Sequence, residues 1–193
     1  MKKHLIIFAH PNTNSFTQAL VQQAVQASEQ QNAQVVVRDL YAMNFQPVLS
    51  QAEMKGEISQ EVLQEQQYIR EADLITLIYP VWWMGFPAIL KGYLDRVLTH
   101  GFAYKTDASG SVGLIHGKKM QHFINLGSNA EEYQANGYAK ALDVCLVNGL
   151  FNFCGITDID HRLFGSLYAI TDTDRQAMLN EVFQQTQQNL TAL

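Results

Sequence analysis

The chain has two cysteines and four prolines in 193 residues. Cys145 and Cys154 stand nine apart, which fits neither a CxxC redox pair nor a zinc-ligand spacing, so both are expected as buried, reduced thiols. The six histidines (His4, His10, His100, His116, His122 and His161) form no HxH or HExxH arrangement, and no metal centre is predicted. Thirteen Lys and Arg against eighteen Asp and Glu leave a net charge of −5, and no five like charges follow one another. That excludes a phosphate-neutralising nucleic-acid surface. The longest apolar stretches, residues 5–9 and 77–84, fall far short of the roughly 20 residues that cross a bilayer. The start Met-Lys-Lys-His runs into a strand pattern without an A-x-A-like cleavage site, so a soluble cytoplasmic protein is expected. Internal repeats and Pro-, Gly- or Ser-rich linkers are lacking too. With 47% apolar residues, residues 1–193 are expected to fold as a single domain.

What is present alternates strand and helix. Residues 4–9 form a short unbroken apolar run ending at His10-Pro11, the pattern of a strand buried on both faces. Phe16, Leu20, Val21, Ala24 and Val25 then recur at helical spacing behind the cap candidates Asn12, Thr13, Asn14 and Ser15. Residues 35–37 and 74–79 read as the second and third strands, with a helix over 59–71 between them. Residues 47–56 read as loop. A helix starting near Pro87 as its first residue follows the third strand. A fourth strand is expected over 119–126, a single, unusually apolar helix over 138–153 and a short fifth strand over 156–159. The last helix, 173–190, opens with Thr173-Asp-Arg-Gln176 as a capping box. The 138–153 helix leaves little room for a polar face, so it is expected to be buried or in a subunit interface.

Five strands alternating with helices predict a doubly wound parallel sheet of order 2-1-3-4-5 with helices on both faces. Ligands of such sheets lie at the carboxyl ends of the strands, where the order reverses. The loops after strands 1, 3 and 4 meet there. The first, residues 10–17, is free of Asp, Glu, Lys and Arg and crowded with hydroxyl and amide groups at a helix N-terminus. It is either a phosphate cradle or an ordinary cluster of N-caps, and it carries neither GxGxxG nor GxxxxGK[ST]. The second, residues 79–87, holds Trp82, Trp83 and Met84. These residues either wall a flat aromatic ligand or plug the core or a subunit contact. The third, residues 125–133, offers Gly127 and small polar groups, and Tyr133 to close over a ligand. Residues 99–105 are expected as loop, with Phe102 and Tyr104 either lining a substrate wall or packing beneath it.

The stretch Tyr79-Pro-Val-Trp-Trp-Met-Gly-Phe-Pro-Ala-Ile-Leu-Lys-Gly-Tyr-Leu-Asp-Arg-Val resembles the flavodoxin-like NAD(P)H:quinone oxidoreductases, the DT-diaphorase type and its bacterial relatives. Ala9-His10 with Ser15-Phe16-Thr17 is similar to that family's loop for the flavin phosphates. Gly101-Phe-Ala-Tyr104 is similar to its substrate-side aromatic segment. The resemblance implies a non-covalent FAD or FMN, NADH or NADPH as hydride donor, a quinone or similar flat acceptor, and a homodimer whose site is completed across the subunit boundary. It assigns cofactor binding to His10, Ser15, Phe16, Thr17, Pro80, Val81, Trp82, Trp83, Met84, Asn125, Leu126, Gly127, Ser128 and Tyr133. Substrate contact is assigned to Phe102, Ala103 and Tyr104. In the family a tyrosine and a histidine balance charge on the reduced flavin. Tyr133 matches the tyrosine, Ala139 stands in the histidine's place, and beyond Arg175 the last helix has no Lys or Arg for the far end of FAD. Similar flavoproteins also serve as ancillary regulatory subunits of glutathione-gated potassium efflux systems, which makes that role the alternative expectation.

Overall fold

The computed structural model describes residues 1–193. Five strands, β1 (Lys3–Phe8), β2 (Gln34–Asp39), β3 (Leu74–Pro80), β6 (Lys119–Asn125) and β7 (Asp158–Phe164), form one parallel sheet of order β2-β1-β3-β6-β7. This is the expected 2-1-3-4-5 order once an inserted hairpin, β4 (Tyr104–Asp107) with β5 (Gly110–Gly113), is left out of the count. The hairpin replaces part of the loop expected over residues 99–105. Its strands are short, polar and largely exposed, so they carry no apolar alternation to betray them.

The helices follow from caps and apolar spacing. Ser15 accepts from Gln18 N and opens α1 (Phe16–Gln30); Ser59 accepts from Val62 N and opens α3 (Gln60–Glu71). A short α2 (Gln51–Met54) lies within the predicted 47–56 loop. It is opened by a Ser50–Glu53 capping box, and its Glu53 is buried against Arg96 at 2.8 Å. Pro87 sits one position before the first turn of α4 (Ala88–Val97) rather than in it. The fifth sheet strand lies further along the chain than expected, since Ile156 is spent closing the core. α8 (Asp172–Ala192) is capped by Thr171 with Asp174, not by Thr173 with Gln176. No helix is long and apolar enough to cross a membrane.

The helix expected over 138–153 is broken into α6 (Tyr138–Leu142), a π-helical turn at Asp143–Val147 and α7 (Asn148–Phe153). Gly149 explains where the turn widens. A Cβ there would lie 1.9 Å from the Val144 carbonyl, so only glycine permits the approach. Val147 and Phe151 face the core. Tyr138, Val144 and Phe153 are about half exposed, and Cys145, expected buried, is exposed as well.

Alternate residues of the strands feed two cores. Leu5, Ile7, Ile75, Leu77 and Met120 pack with α3, α4 and the π-containing segment; Ile6, Phe8, Ile78 and Phe123 pack with α1 and α8. With both faces covered, the strands read as unbroken apolar runs. A polar seam crosses the second face. Asn189 Nδ2 donates to Gln121 Oε1 (2.7 Å), Gln121 Nε2 to Thr76 Oγ1 (2.8 Å) and to Thr186 Oγ1 (3.0 Å). His4 joins Thr76 Oγ1 through Nε2 (2.5 Å) and Ser28 Oγ through Nδ1 (2.6 Å), and Ser28 donates to Ala24 O (2.7 Å). Because the Ser28 proton is committed to a carbonyl, Nδ1 must be the donor and Nε2 the acceptor, which fixes a neutral imidazole. Burial pulls the His4 pKa down to about 3. His122, whose Nε2 has no partner, is likewise lowered to about 3, by burial and secondarily by the charge of His161.

Both histidines therefore have folded values below the unfolded 6.5. The unfolded chain takes up protons first, so stability present above pH 6.5 is lost as pH falls toward 3. Each should cost about 2 kcal/mol at pH 5 relative to pH 8. Urea midpoints at pH 8 and pH 5 measure this, and His4→Gln should shrink the difference. An unchanged difference would show that His4 is not buried neutral.

Candidate active site

A cleft of about 570 Å3 opens at the carboxyl ends of β1, β3, β6 and β7. From the β1–α1 loop it is lined by His10, Asn12, Ser15, Phe16 and Thr17. This loop is fixed by its own amides: Asn12 N donates to His10 Nδ1 (3.0 Å) and Asn14 N to Asn12 Oδ1 (2.9 Å). The first N–H groups of α1 lie at its edge, where helix polarity favours an anion.

The β3–α4 loop contributes Pro80, Val81 and Trp82, with Trp82 and His10 6.1 Å apart between ring centroids. Trp82 and Gly85 exchange both backbone hydrogen bonds at 3.1 Å, closing a two-residue turn over Trp83 and Met84. Both central residues have positive φ, 50° and 60°, the geometry of a type I′ turn that normally takes Asn or Gly. Neither lines the cleft of its own chain: the Trp83 side chain is fully exposed, and Met84 touches the Tyr133 hydroxyl through Sδ at 3.5 Å.

Asn125, Leu126, Gly127, Ser128 and Tyr133 line the third side. Tyr133 stands on the short helix α5 (Ala130–Ala135), capped by Asn129, rather than in a loop, and its ring meets Tyr138 edge-on at 5.5 Å. Asn125 is 2% exposed. Its carbonyl accepts from Val81 N (2.8 Å) and its Nδ2 donates to Thr17 Oγ1 (2.9 Å), tying the three loops together.

Leu167 and Tyr168 of the β7–α8 turn and Arg175 in the first turn of α8 also line the cleft without having been expected there, as does Asn12, expected only as a cap. Arg175 donates to Leu167 O (2.6 Å) and lies over the Phe16 ring at 5.9 Å. It is the only Lys or Arg lining the cleft, and no Asp or Glu lines it. The available signal was topological, since the loop after every strand of a parallel sheet ends at the same edge.

Phe102 and Ala103 are not in the cleft. They are buried beneath the turn before the hairpin, with Arg70 over the Phe102 ring at 4.7 Å. Tyr104 lines a separate cavity of about 400 Å3 with Leu94, Leu98, Leu150 and Phe153.

An aromatic-walled, acid-free cleft at the switch point of a doubly wound sheet stands where α/β proteins of this topology take their ligands. The family described by its flavodoxin-like fold matches residues 2–190, and the chain belongs to it. A Haemophilus influenzae protein named as an uncharacterized NAD(P)H oxidoreductase is 53% identical, over 98% of this chain and 96% of its own length. Among solved structures, the NAD(P)H:quinone oxidoreductase of Methanothermobacter marburgensis superposes with a TM-score of 0.88 at 26% identity, covering 96% of this chain and 98% of that one. General stress protein 14 of Treponema denticola, in complex with FMN, gives a TM-score of 0.68 at 25% identity over 98% of both chains.

The residues present suit a flavin. Asn125 Oδ1 is buried with no partner. Thr17, having accepted from Asn125, keeps its own hydroxyl proton to donate. Together they present an acceptor beside a donor, as a sugar-alcohol hydroxyl or an amide edge requires.

The strained turn gives a test. A left-handed conformation at a non-glycine residue costs roughly 1–2 kcal/mol, and the exposed Trp83 side chain recovers none of it by packing within the chain. Trp83→Gly should therefore raise the stability of the flavin-free protein by up to about 1 kcal/mol, a Tm rise of about 2–4 °C in calorimetry. A lower Tm would mean that the indole is packed against another molecule.

Proposed function

We propose that residues 1–193 act as a single-domain, flavin-dependent NAD(P)H dehydrogenase of the cytoplasm that passes reducing equivalents to a quinone or a similarly flat acceptor. The observation that carries this reading is the cleft itself, with an anion-favouring helix end and Arg175, the Asn125–Thr17 pair, and the Trp82 and Tyr133 rings around one space. The kinship with proteins named NAD(P)H oxidoreductase and NAD(P)H:quinone oxidoreductase supports it. The alternative, a regulatory subunit of a potassium efflux system, draws support from no feature of the structure.

A bound flavin would supply the two-electron chemistry between nicotinamide and acceptor. The chain's part is placement and charge. With a flavin bound, the α1 N-terminus and Arg175 would hold its phosphate, Asn125 with Thr17 would take the hydroxyls of its sugar-alcohol chain, and the backbone at Val81–Trp82 would support its ring. Tyr133 O–H, whose partner here is the weak acceptor Met84 Sδ, would donate its proton instead to negative charge on a bound ring. Ala139 offers no second donor in the place of the family's histidine, so Tyr133 carries this role alone.

Tyr104 does not reach the cleft of its own chain. Its assigned contact with the acceptor therefore requires a second copy, and the half-exposed Tyr138, Val144 and Phe153 provide the apolar surface for one. A homodimer is expected. Light scattering at micromolar concentration should give twice 21.8 kDa; the monomer mass would contradict it.

A hydrogen bond to a charged group is worth roughly 1.5–3 kcal/mol, so Tyr133→Phe should slow reduction by NAD(P)H about 10- to 150-fold at unchanged flavin content. Tyr104→Phe should leave that half-reaction alone and alter the acceptor half-reaction. Stopped-flow absorbance of the two halves separates them. Protein that neither carries nor takes up flavin would end the proposal, and equal reductive rates for wild type and Tyr133→Phe would remove Tyr133 from it.

A further inference from the structure

Two cations without a carboxylate partner meet at the end of the sheet opposite the cleft. More than half of the thirteen Lys and Arg are paired with Asp or Glu, but Arg70 at the end of α3 and Lys118 just before β6 are not. Together with His116 they line a cavity of about 380 Å3, and no Asp or Glu lines it. Arg70 precedes β3 and Lys118 precedes β6, so the cavity lies at the amino ends of these strands. Six steps of about 3.3 Å along β6 put it roughly 20 Å from Asn125 and the cleft.

Each of the three basic groups is fixed. The Arg70 guanidinium lies over the Phe102 ring at 4.7 Å. Lys118 Nζ donates to Arg70 O and Ala72 O, both at 2.6 Å, and so caps the end of α3. That structural duty spends two of the three ammonium N–H groups and leaves one. Burial lowers the Lys118 pKa against the pull of Asp73, whose carboxylate is itself engaged by Lys3 N at 2.8 Å. His116 is placed by Gly155: a Cβ there would lie 2.9 Å from the ring, and Ile115 N donates to Cys154 O at 2.9 Å. The backbone N–H groups of His116, Gly117 and Lys118 have no acceptor in the chain, and Gly117 has a φ of 68°. Successive free N–H groups through such a turn form an anion-binding concavity.

We propose that this cavity binds the phosphate group of a small phosphate monoester, at a site separate from the cleft and independent of the flavin reading. Two fixed positive charges match a phosphate dianion, whereas a carboxylate would leave one of them over. Arg70 offers a planar fork to two phosphate oxygens, and the remaining Lys118 proton, the His116 ring and the free backbone N–H groups offer donors to the third. A bare phosphate ion would leave most of the cavity to water. Ile69 and Ile115 line the rest of it and suit a short organic remainder.

The test follows the backbone amides of the full, 15N-labelled chain by NMR at pH 8 during titration with glycerol 3-phosphate and, separately, with inorganic phosphate. Glycerol 3-phosphate should move the amides of His116, Gly117 and Lys118 to saturation at millimolar concentration, and inorganic phosphate should bind there more weakly. Arg70→Gln should raise the Kd for glycerol 3-phosphate about 10-fold, the low end for a hydrogen bond to a charged group because Arg70 is exposed. Its Tm should match wild type, since the side chain has no carboxylate partner to lose; Lys118 is left intact because its removal would uncap α3. Shifts confined to Ser15–Thr17 would put the anion in the cleft and overturn the proposal. So would the lack of any saturable shift, or an unchanged Kd in Arg70→Gln. Inorganic phosphate binding as tightly as glycerol 3-phosphate, or more tightly, would overturn the monoester as the ligand.

Discussion

The cleft depends on what Asn125 does at the end of β6. One residue, almost wholly buried, receives the first amide of the β3–α4 loop on its carbonyl and reaches across with its side chain to the first turn of α1. The distances between those loops are thus set by two hydrogen bonds from a single rigid strand end, in surroundings where an unmade bond is expensive. The position also leaves one acceptor over. A buried amide oxygen without a partner is a cost the isolated chain carries and a ligand would relieve.

The polar seam beneath the cleft works by a related principle. From Asn189 through Gln121, Thr76 and His4 to Ser28, each donor has one acceptor, so the chain of bonds runs in one direction across three strands and two helices. An apolar layer would bury the same area without specifying how α1 and α8 sit along the sheet. A directional network accepts one register of the helices and leaves orphaned donors in any other. The floor of the site is therefore keyed to the helix whose N-terminus forms one of its walls.

Much of the arrangement could be read from residue order. The apolar runs that become β1, β3 and β6 end at loops of odd composition, and sheet physics brings those loop ends together, so His10, Ser15, Thr17, Val81, Trp82, Asn125 and Tyr133 could be grouped before any coordinates. Tyr168 was out of reach because it lies far along the chain on a turn of ordinary composition, and Arg175, in the first turn of α8, was visible as the last basic residue of that helix but not as part of the cleft wall. Phe102 and Trp83 turn in opposite directions within the chain. An aromatic in a loop gives no sign of whether it points down into a core or out into water, and here Phe102 does the first and Trp83 the second. The β4–β5 hairpin escaped because a short, solvated ribbon has no apolar period, and the break in the 138–153 helix because a π turn changes hydrogen bonding without changing composition.

That π turn acts as a phase shifter. An α-helix advances about 100° per residue, so the additional residue accommodated at Asp143–Val147 rotates everything downstream by roughly that angle relative to an uninterrupted helix. With the shift, Phe151 points into the core while Phe153 points out beside Tyr104, their rings 5.0 Å apart. A continuous α-helix through the same residues would carry Phe153 off that line. The aromatic surface next to the hairpin thus owes its composition to a single residue's worth of helical slack, hinged on a glycine that leaves the Val144 carbonyl room to swing in.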